Sequence, residues 1–201
     1  IVNHGAEPIL YRNDSDNSNS YLRIDLEGTL SNRDGIGAWI SVTPDLGVPD
    51  EKLVWEVDGG SSFLSQNEHT AHFGLGEFNE NVDLVQIEWT NGLIQQIFNV
   101  EPNQTLNVLE TDQAEAADFN GNGVVDAADF TVWRDLLGST SSVADADGNG
   151  LVGMEDFYIW RTQFGRVVPP LTIPEPNTSG LLLLGLAWCV MCCRMQARNR
   201  S

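Results

Sequence analysis

The chain has 201 residues, 41% of them hydrophobic, with six Trp and eight Phe; that is enough apolar matter for one or two compact domains and excludes wholesale disorder. Its formal net charge of −19 opposes a polyanionic partner, so no nucleic-acid role is expected. The charge is also lopsided: all 29 acids precede Pro176, whereas three of the ten bases, Arg194, Arg198 and Arg200, close the chain.

The opening "IVNHGAEPIL" has neither a basic stretch nor an apolar core, so no secretory signal is read there. Residues 1–19 are expected to be a linker or the end of a preceding repeat region, which would make the chain the C-terminal piece of a longer exported protein. Residues 20–110 then read as β structure. "YLRIDLEG" alternates Leu22, Ile24 and Leu26, "LVQIEW" alternates Val85, Ile87 and Trp89, and "LIQQIFNV" runs from Leu93 to Val100. Turn clusters such as "SNRDG" and "TNG" separate the runs, which predicts an all-β sandwich or a small barrel.

Three stretches of this region, "LEGTLSNRDGIGAWI", "GGSSFLSQNEHTAHFGLG" and "IEWTNGLIQQ", resemble the ASPIC/UnbV domain in wording, order and spacing, over about residues 21–110. The resemblance implies an architecture that follows FG-GAP or integrin-like repeats, and "EPILYRND" looks like the end of one. It implies no chemistry. His69 and His72 stand three apart beside Glu68, but "HFGLG" reads as strand and turn, and no HExxH, GxSxG or paired Cys–His arrangement is present. No catalytic residue is therefore expected.

After a linker at 111–116, the acidic string "DFNGNGVVDAADF" begins at Asp118, and a near copy, "DADGNGLVGMEDF", begins 27 residues later at Asp145. Counting from Asp118 places Asp118, Asn120, Asn122, Asp126 and Asp129 at loop positions 1, 3, 5, 9 and 12, with Gly123 at 6 and the carbonyl of Val124 at 7. The copy supplies Asp145, Asp147, Asn149 and Asp156 at 1, 3, 5 and 12, with Gly150 at 6 and the carbonyl of Leu151 at 7. The spacing has a physical reason. Calcium takes about six to eight oxygens, so alternate side chains must turn inward, and the sharp bend at position 6 demands glycine. Two calcium ions are expected, the first loop binding more tightly because Asp126 faces only Gly153 at position 9 of the second.

Each loop runs into a short helix, "DFTVWRDLLG" and "DFYIWRTQFG", with Gly138 and Gly165 as C-terminal stops. Phe130, Trp133 and Leu137 share one face, as do Phe157, Trp160 and Phe164, so the two helices are expected to pair over an aromatic core. Tandem loop–helix units of this kind resemble a type I dockerin over residues 117–165. That resemblance implies calcium-dependent docking to a cohesin-like or other surface protein, often in carbohydrate-degrading assemblies, so carbohydrate is a further candidate partner.

Residues 166–177 form a proline-rich spacer, and residues 178–201 hold an apolar run from about Gly180 to Cys193 followed by the arginines. Fourteen helical residues cover about 21 Å against a hydrocarbon core of about 30 Å, a marginal span. Pro174, Glu175 and Pro176, the apolar run and Arg194, Arg198 and Arg200 resemble a PEP-CTERM sorting signal. The resemblance implies an exosortase that removes the hydrophobic end and a protein held only transiently in the membrane on its way to the cell envelope or exterior. The whole then reads as a multidomain chain: an all-β sandwich or small barrel, a small all-α calcium-loop pair and a C-terminal transmembrane-like helix. Its expected role is non-catalytic adhesion or docking, the alternative being an accessory region of an extracellular polysaccharide-degrading hydrolase.

Overall fold

The alternation of apolar and polar residues fixes the first strand directly: Leu22, Ile24 and Leu26 are buried on one face while Tyr21, Asp25 and Glu27 face solvent. A computed structural model describes residues 14, 18–48, 51–60 and 66–168 of the protein. Among these residues seven strands form, β1 (Ser20–Glu27), β2 (Trp39–Thr43), β3 (Leu53–Glu56), β4 (Ala71–Gly76), β5 (Val82–Glu88), β6 (Ile94–Val100) and β7 (Gln104–Leu109), followed by helices α1 (Ala114–Ala117), α2 (Ala127–Leu136) and α3 (Met154–Gln163).

The strands make two sheets. One has the order β4-β1-β7, with β1 antiparallel to β4 and parallel to β7; the other is fully antiparallel, with the order β3-β2-β5-β6. Their inner faces share one core that includes Leu22, Ile24, Ile40, Val42, Phe73, Val85 and Ile87. Each such aliphatic side chain contributes about 1.5–3 kcal/mol when fully buried. The expected β architecture is thus a two-sheet sandwich.

A buried carboxylate closes one end of it. Glu110 is 3% exposed, and its Oε2 accepts the backbone N–H groups of Thr29, Leu30 and Ser31 at 2.8, 2.7 and 2.7 Å. Its Oε1 accepts Ser31 Oγ at 2.9 Å and Asn91 Nδ2 at 2.8 Å. Burial pushes this carboxyl up, but the hydrogen bonds from Ser31, Leu30 and Thr29 outweigh it and hold the group below its ordinary value. The "SNRDG" cluster folds as a turn, with Asn32 Nδ2 donating to the Ile36 carbonyl and Ile36 N–H donating to Asn32 Oδ1.

The expected fold class needs correction. The described residues fall into one compact, mostly β unit with a few short helices, rather than a β domain followed by a separate helical one. The cause is β6, an edge strand whose outward backbone groups need partners. Gln113 supplies an acceptor to Gln96 N–H at 2.8 Å and a donor to the Gln96 carbonyl at 3.0 Å, and Gln163 Nε2 donates to the Ile94 carbonyl at 2.8 Å. The supposed linker and the last helix are therefore built onto the sandwich. No helix among the described residues is long and apolar enough to cross a membrane, and the expected transmembrane-like helix at 178–201 lies outside the described residues. So do Pro174, Glu175, Pro176, Arg194, Arg198 and Arg200 of the expected sorting signal.

Candidate metal centre

Both acidic strings fold as tight loops wound around their own carboxylates. In the first, Asp118 Oδ2 accepts Gly123 N–H at 2.7 Å and Oδ1 accepts Asn122 N–H at 3.1 Å. Asn120 Oδ1 accepts Asn122 N–H at 2.9 Å, and Asn122 Oδ1 accepts Val124 N–H at 2.8 Å. Asp129 closes the loop from the helix, its Oδ1 accepting Asn120 N–H at 3.0 Å and its Oδ2 Asp126 N–H at 2.8 Å. The second loop repeats the scheme: Asp145 Oδ2 accepts Gly150 N–H at 3.0 Å, Asp147 Oδ1 accepts Asn149 N–H at 3.0 Å, and Asn149 Oδ1 accepts Leu151 N–H at 2.8 Å. Asp156 Oδ1 and Oδ2 accept Asp147 N–H at 3.2 Å and Gly153 N–H at 2.6 Å. Gly123 and Gly150 take φ values of 87° and 89°, which is why position 6 is glycine in both. The exposed side chains of Val124 and Leu151 leave only their backbones to serve the loops.

The second loop has the denser charge. Carboxylate oxygens of Asp145, Asp147 and Asp156 all lie within 4.8 Å of one another, and Asp156 is fully buried. Asp145 Oδ1 is buried with no hydrogen-bond partner. Three carboxylates this close, one of them with a buried oxygen lacking a donor, repel one another and are the kind of ligands a hard divalent cation takes. Burial chiefly pushes the Asp147 carboxyl up to about 6, against the hydrogen bond from Asn149, with the charges of Asp156 and Asp145 adding to the rise. Asp156 is raised as well, first by burial, and the Asp145 charge adds to it. The residues of this loop fit a calcium ion.

In the first loop, Asp118 and Asp129 hold matching places, while amides occupy positions 3 and 5. Asp126 is directed elsewhere: its Oδ1 caps α2 by accepting Ala128 N–H at 2.7 Å. With Asp126 engaged in that cap, its place at position 9 does not by itself rank the first loop above the second.

The loops are locked to each other through the helices. Trp133 Nε1 donates to the Gly153 carbonyl at 2.8 Å, and Trp160 Nε1 donates to the Asp126 carbonyl at 3.0 Å, so each helix's indole fastens the other loop. Gly138 N–H donates to the Val152 carbonyl and Gly165 N–H to the Val125 carbonyl, both at 2.9 Å. The result is a local twofold relating residues 27 positions apart. Phe130, Trp133, Phe157 and Trp160 stack between the helices with ring centroids 5.1–6.1 Å apart, the expected aromatic core. The helices stop at Leu136 and Gln163, so Leu137 stays 51% exposed, while Phe164, 55% exposed, joins at the rim with its ring edge-on to Trp160 at a centroid distance of 5.3 Å.

The histidines noted in the sequence lie elsewhere. His72 is exposed on β4 with its ring edge-on to Tyr21, and the His69 ring pairs with the Gln66 side chain, so the two build no metal site. Sequence reasoning missed Glu110, Gln113 and Gln163, because a lone glutamate or glutamine at a strand or helix end carries no pattern. Their roles come from partners up to 81 residues away.

Residues 28–115 match the family model for ASPIC and UnbV. No curated protein matches the chain. Among solved structures, the N-terminal interface mutant and the C-terminal interface mutant of a type II cohesin–X–dockerin complex from Acetivibrio cellulolyticus each align over 74% of this chain and 97% of theirs. Identity is 15% and TM-score 0.27 in both, too loose a superposition to carry an argument.

Proposed function

We propose that residues 117–165 bind two calcium ions and, once ordered by them, serve as a docking unit beside the ASPIC/UnbV domain of an exported, non-catalytic protein. The observation that carries this is the convergence of the Asp145, Asp147 and Asp156 carboxylates, together with a buried Asp145 oxygen that has no hydrogen-bond partner. Asp118, Asn120, Asn122 and Asp129 with the Val124 carbonyl would hold the first ion. Asp145, Asp147, Asn149 and Asp156 with the Leu151 carbonyl would hold the second. When bound, each ion supplies positive charge among carboxylates that otherwise repel.

The protein's own residues do the rest. The loop N–H groups orient the carboxylates, and the Trp133 and Trp160 indoles tie each loop to the opposite helix. Metal binding is thereby coupled to the packing of α2 against α3. The partner in this reading is a cohesin-like or other surface protein, and the terminal Pro174–Glu175–Pro176 stretch is the part an exosortase would read on the way to the cell envelope. Extracellular calcium modules bind at about 10⁻⁴ to 10⁻³ M, which suits a protein outside the cell.

The test is calcium titration of the intact chain, followed by calorimetry and by tryptophan emission. Two binding events are expected, the tighter one lost in Asp145→Ala. A flat heat trace with unchanged emission rejects the reading.

A further inference from the structure

The two loops differ where each runs into its helix. Position 9 is Asp126 in the first and Gly153 in the second, while position 11 is Ala128 in the first and Glu155 in the second. Each loop therefore carries one acid across these two places, but on opposite members. The backbone does not force the exchange. Gly153 has φ −126° and ψ −165°, extended values open to any residue and close to the −138° and −169° of Asp126.

What fills the place of the missing side chain is Glu155. A Cβ on Gly153 would stand 2.5 Å from Glu155 Oε2, so the carboxylate folds back over position 9 and lies where a side chain there would begin. Glu155 also lines a cleft of about 610 Å³ together with Asp147 and Asn149, positions 3 and 5 of the same loop. No ion pair among the described residues engages it. It stands outside the tight cluster of Asp145, Asp147 and Asp156, as suits position 9, a place that often meets calcium through a water.

We propose that Glu155 stands in for position 9 of the second loop, so that residue 11 supplies the oxygen residue 9 lacks. The inference rests on the calcium reading of this loop and adds a ligand to it. The second site then holds the carboxylates of Asp145, Asp147, Glu155 and Asp156, whereas the first holds those of Asp118 and Asp129, with Asp126 engaged in the helix cap. Affinity in such loops follows the count of charged ligands, so the second loop is the tighter of the two. Glycine at position 9 is thus what makes room for the glutamate.

The experiment is calcium calorimetry of the intact chain in three variants, Glu155→Ala, Gly153→Ala and the two combined, with far-UV circular dichroism to verify the fold of each. Gly153→Ala is decisive. It changes no charge, its extended backbone suits alanine, and the added methyl fits only if the flexible Glu155 carboxylate moves away. Each single variant is expected to weaken the binding event that Asp145→Ala removes by about tenfold, with the other event unchanged. The combined variant should be no weaker than either single one, because both remove the same oxygen. The proposal is overturned if Glu155→Ala leaves that event unchanged or if the two losses add. It is overturned equally if Gly153→Ala has no effect while Glu155→Ala does, since the carboxylate would then act only as a distant charge. A wild-type chain with no calcium heat would remove the calcium reading itself, and this one with it.

Discussion

A single buried oxygen on Asp145 does more to mark a candidate metal centre than the whole acidic composition of the chain. Acidic loops are common without metal, but a carboxylate oxygen sealed from water with no donor has a cost that only a cation or a proton removes. The proton is the alternative occupant, and that gives a pH prediction. Asp147 stands at about 6 against an ordinary 3.8, so between those values the folded, calcium-free protein binds more protons than the unfolded chain. Its stability therefore falls as pH rises through that window. With a chelator present, the urea midpoint should be higher at about pH 5 than at about pH 7, and calcium should reverse the order, because the ion requires the ionised carboxylates. An unchanged order on adding calcium would contradict the site. Glu110 is the opposite case: its hydrogen bonds favour the charged form, and Glu110→Gln replaces an acceptor oxygen with an amide among donors. A loss of about 1–3 kcal/mol in urea unfolding is expected, with calcium binding unchanged.

At the scale of elements, each helix is half of a mutual clasp. α2 is capped by Asp126, whose carbonyl takes the Trp160 indole, and the Gly153 carbonyl just before α3 takes the Trp133 indole. Removing the ion from one loop should therefore loosen the helix fastened to it from the other side. Trp160→Phe keeps the ring in the aromatic core but deletes the bond to the Asp126 carbonyl of the first loop. It should weaken the calcium heat of that loop more than that of the second, as read by calorimetry on the intact chain. An equal effect on both loops would show that the indole bond carries no coupling.

For the molecule as a whole, the helical unit is an extension of the sandwich. Gln163 and Gln113 finish β6 with side-chain amides where another strand would otherwise pair. Gln163→Ala leaves the Ile94 carbonyl without its donor, and a loss of about 1–3 kcal/mol is expected in the shared unfolding transition. Unfolding of the helices alone, with the sandwich transition unmoved, would show that the two parts are independent.

The amino-acid sequence was sufficient for features whose cause lies within a few residues. The alternation of Leu22, Ile24 and Leu26 set an inward strand face, and the 27-residue echo with glycine at each sixth loop place set two loops of one design. The pairing of the two helices over Phe130, Trp133, Phe157 and Trp160 was also legible, since two aromatic helix faces of that size have little to pack on except each other. What needed the tertiary structure was every choice between groups distant in the chain. The use of Asp126 as a helix cap and the anchoring of α3 on β6 each depend on which polar group finds a partner first. Hydrogen bonds and charges reward proximity in space, and a string of residues carries no record of that until the sheet has brought Glu110 beside Ser31 and Gln163 beside Ile94.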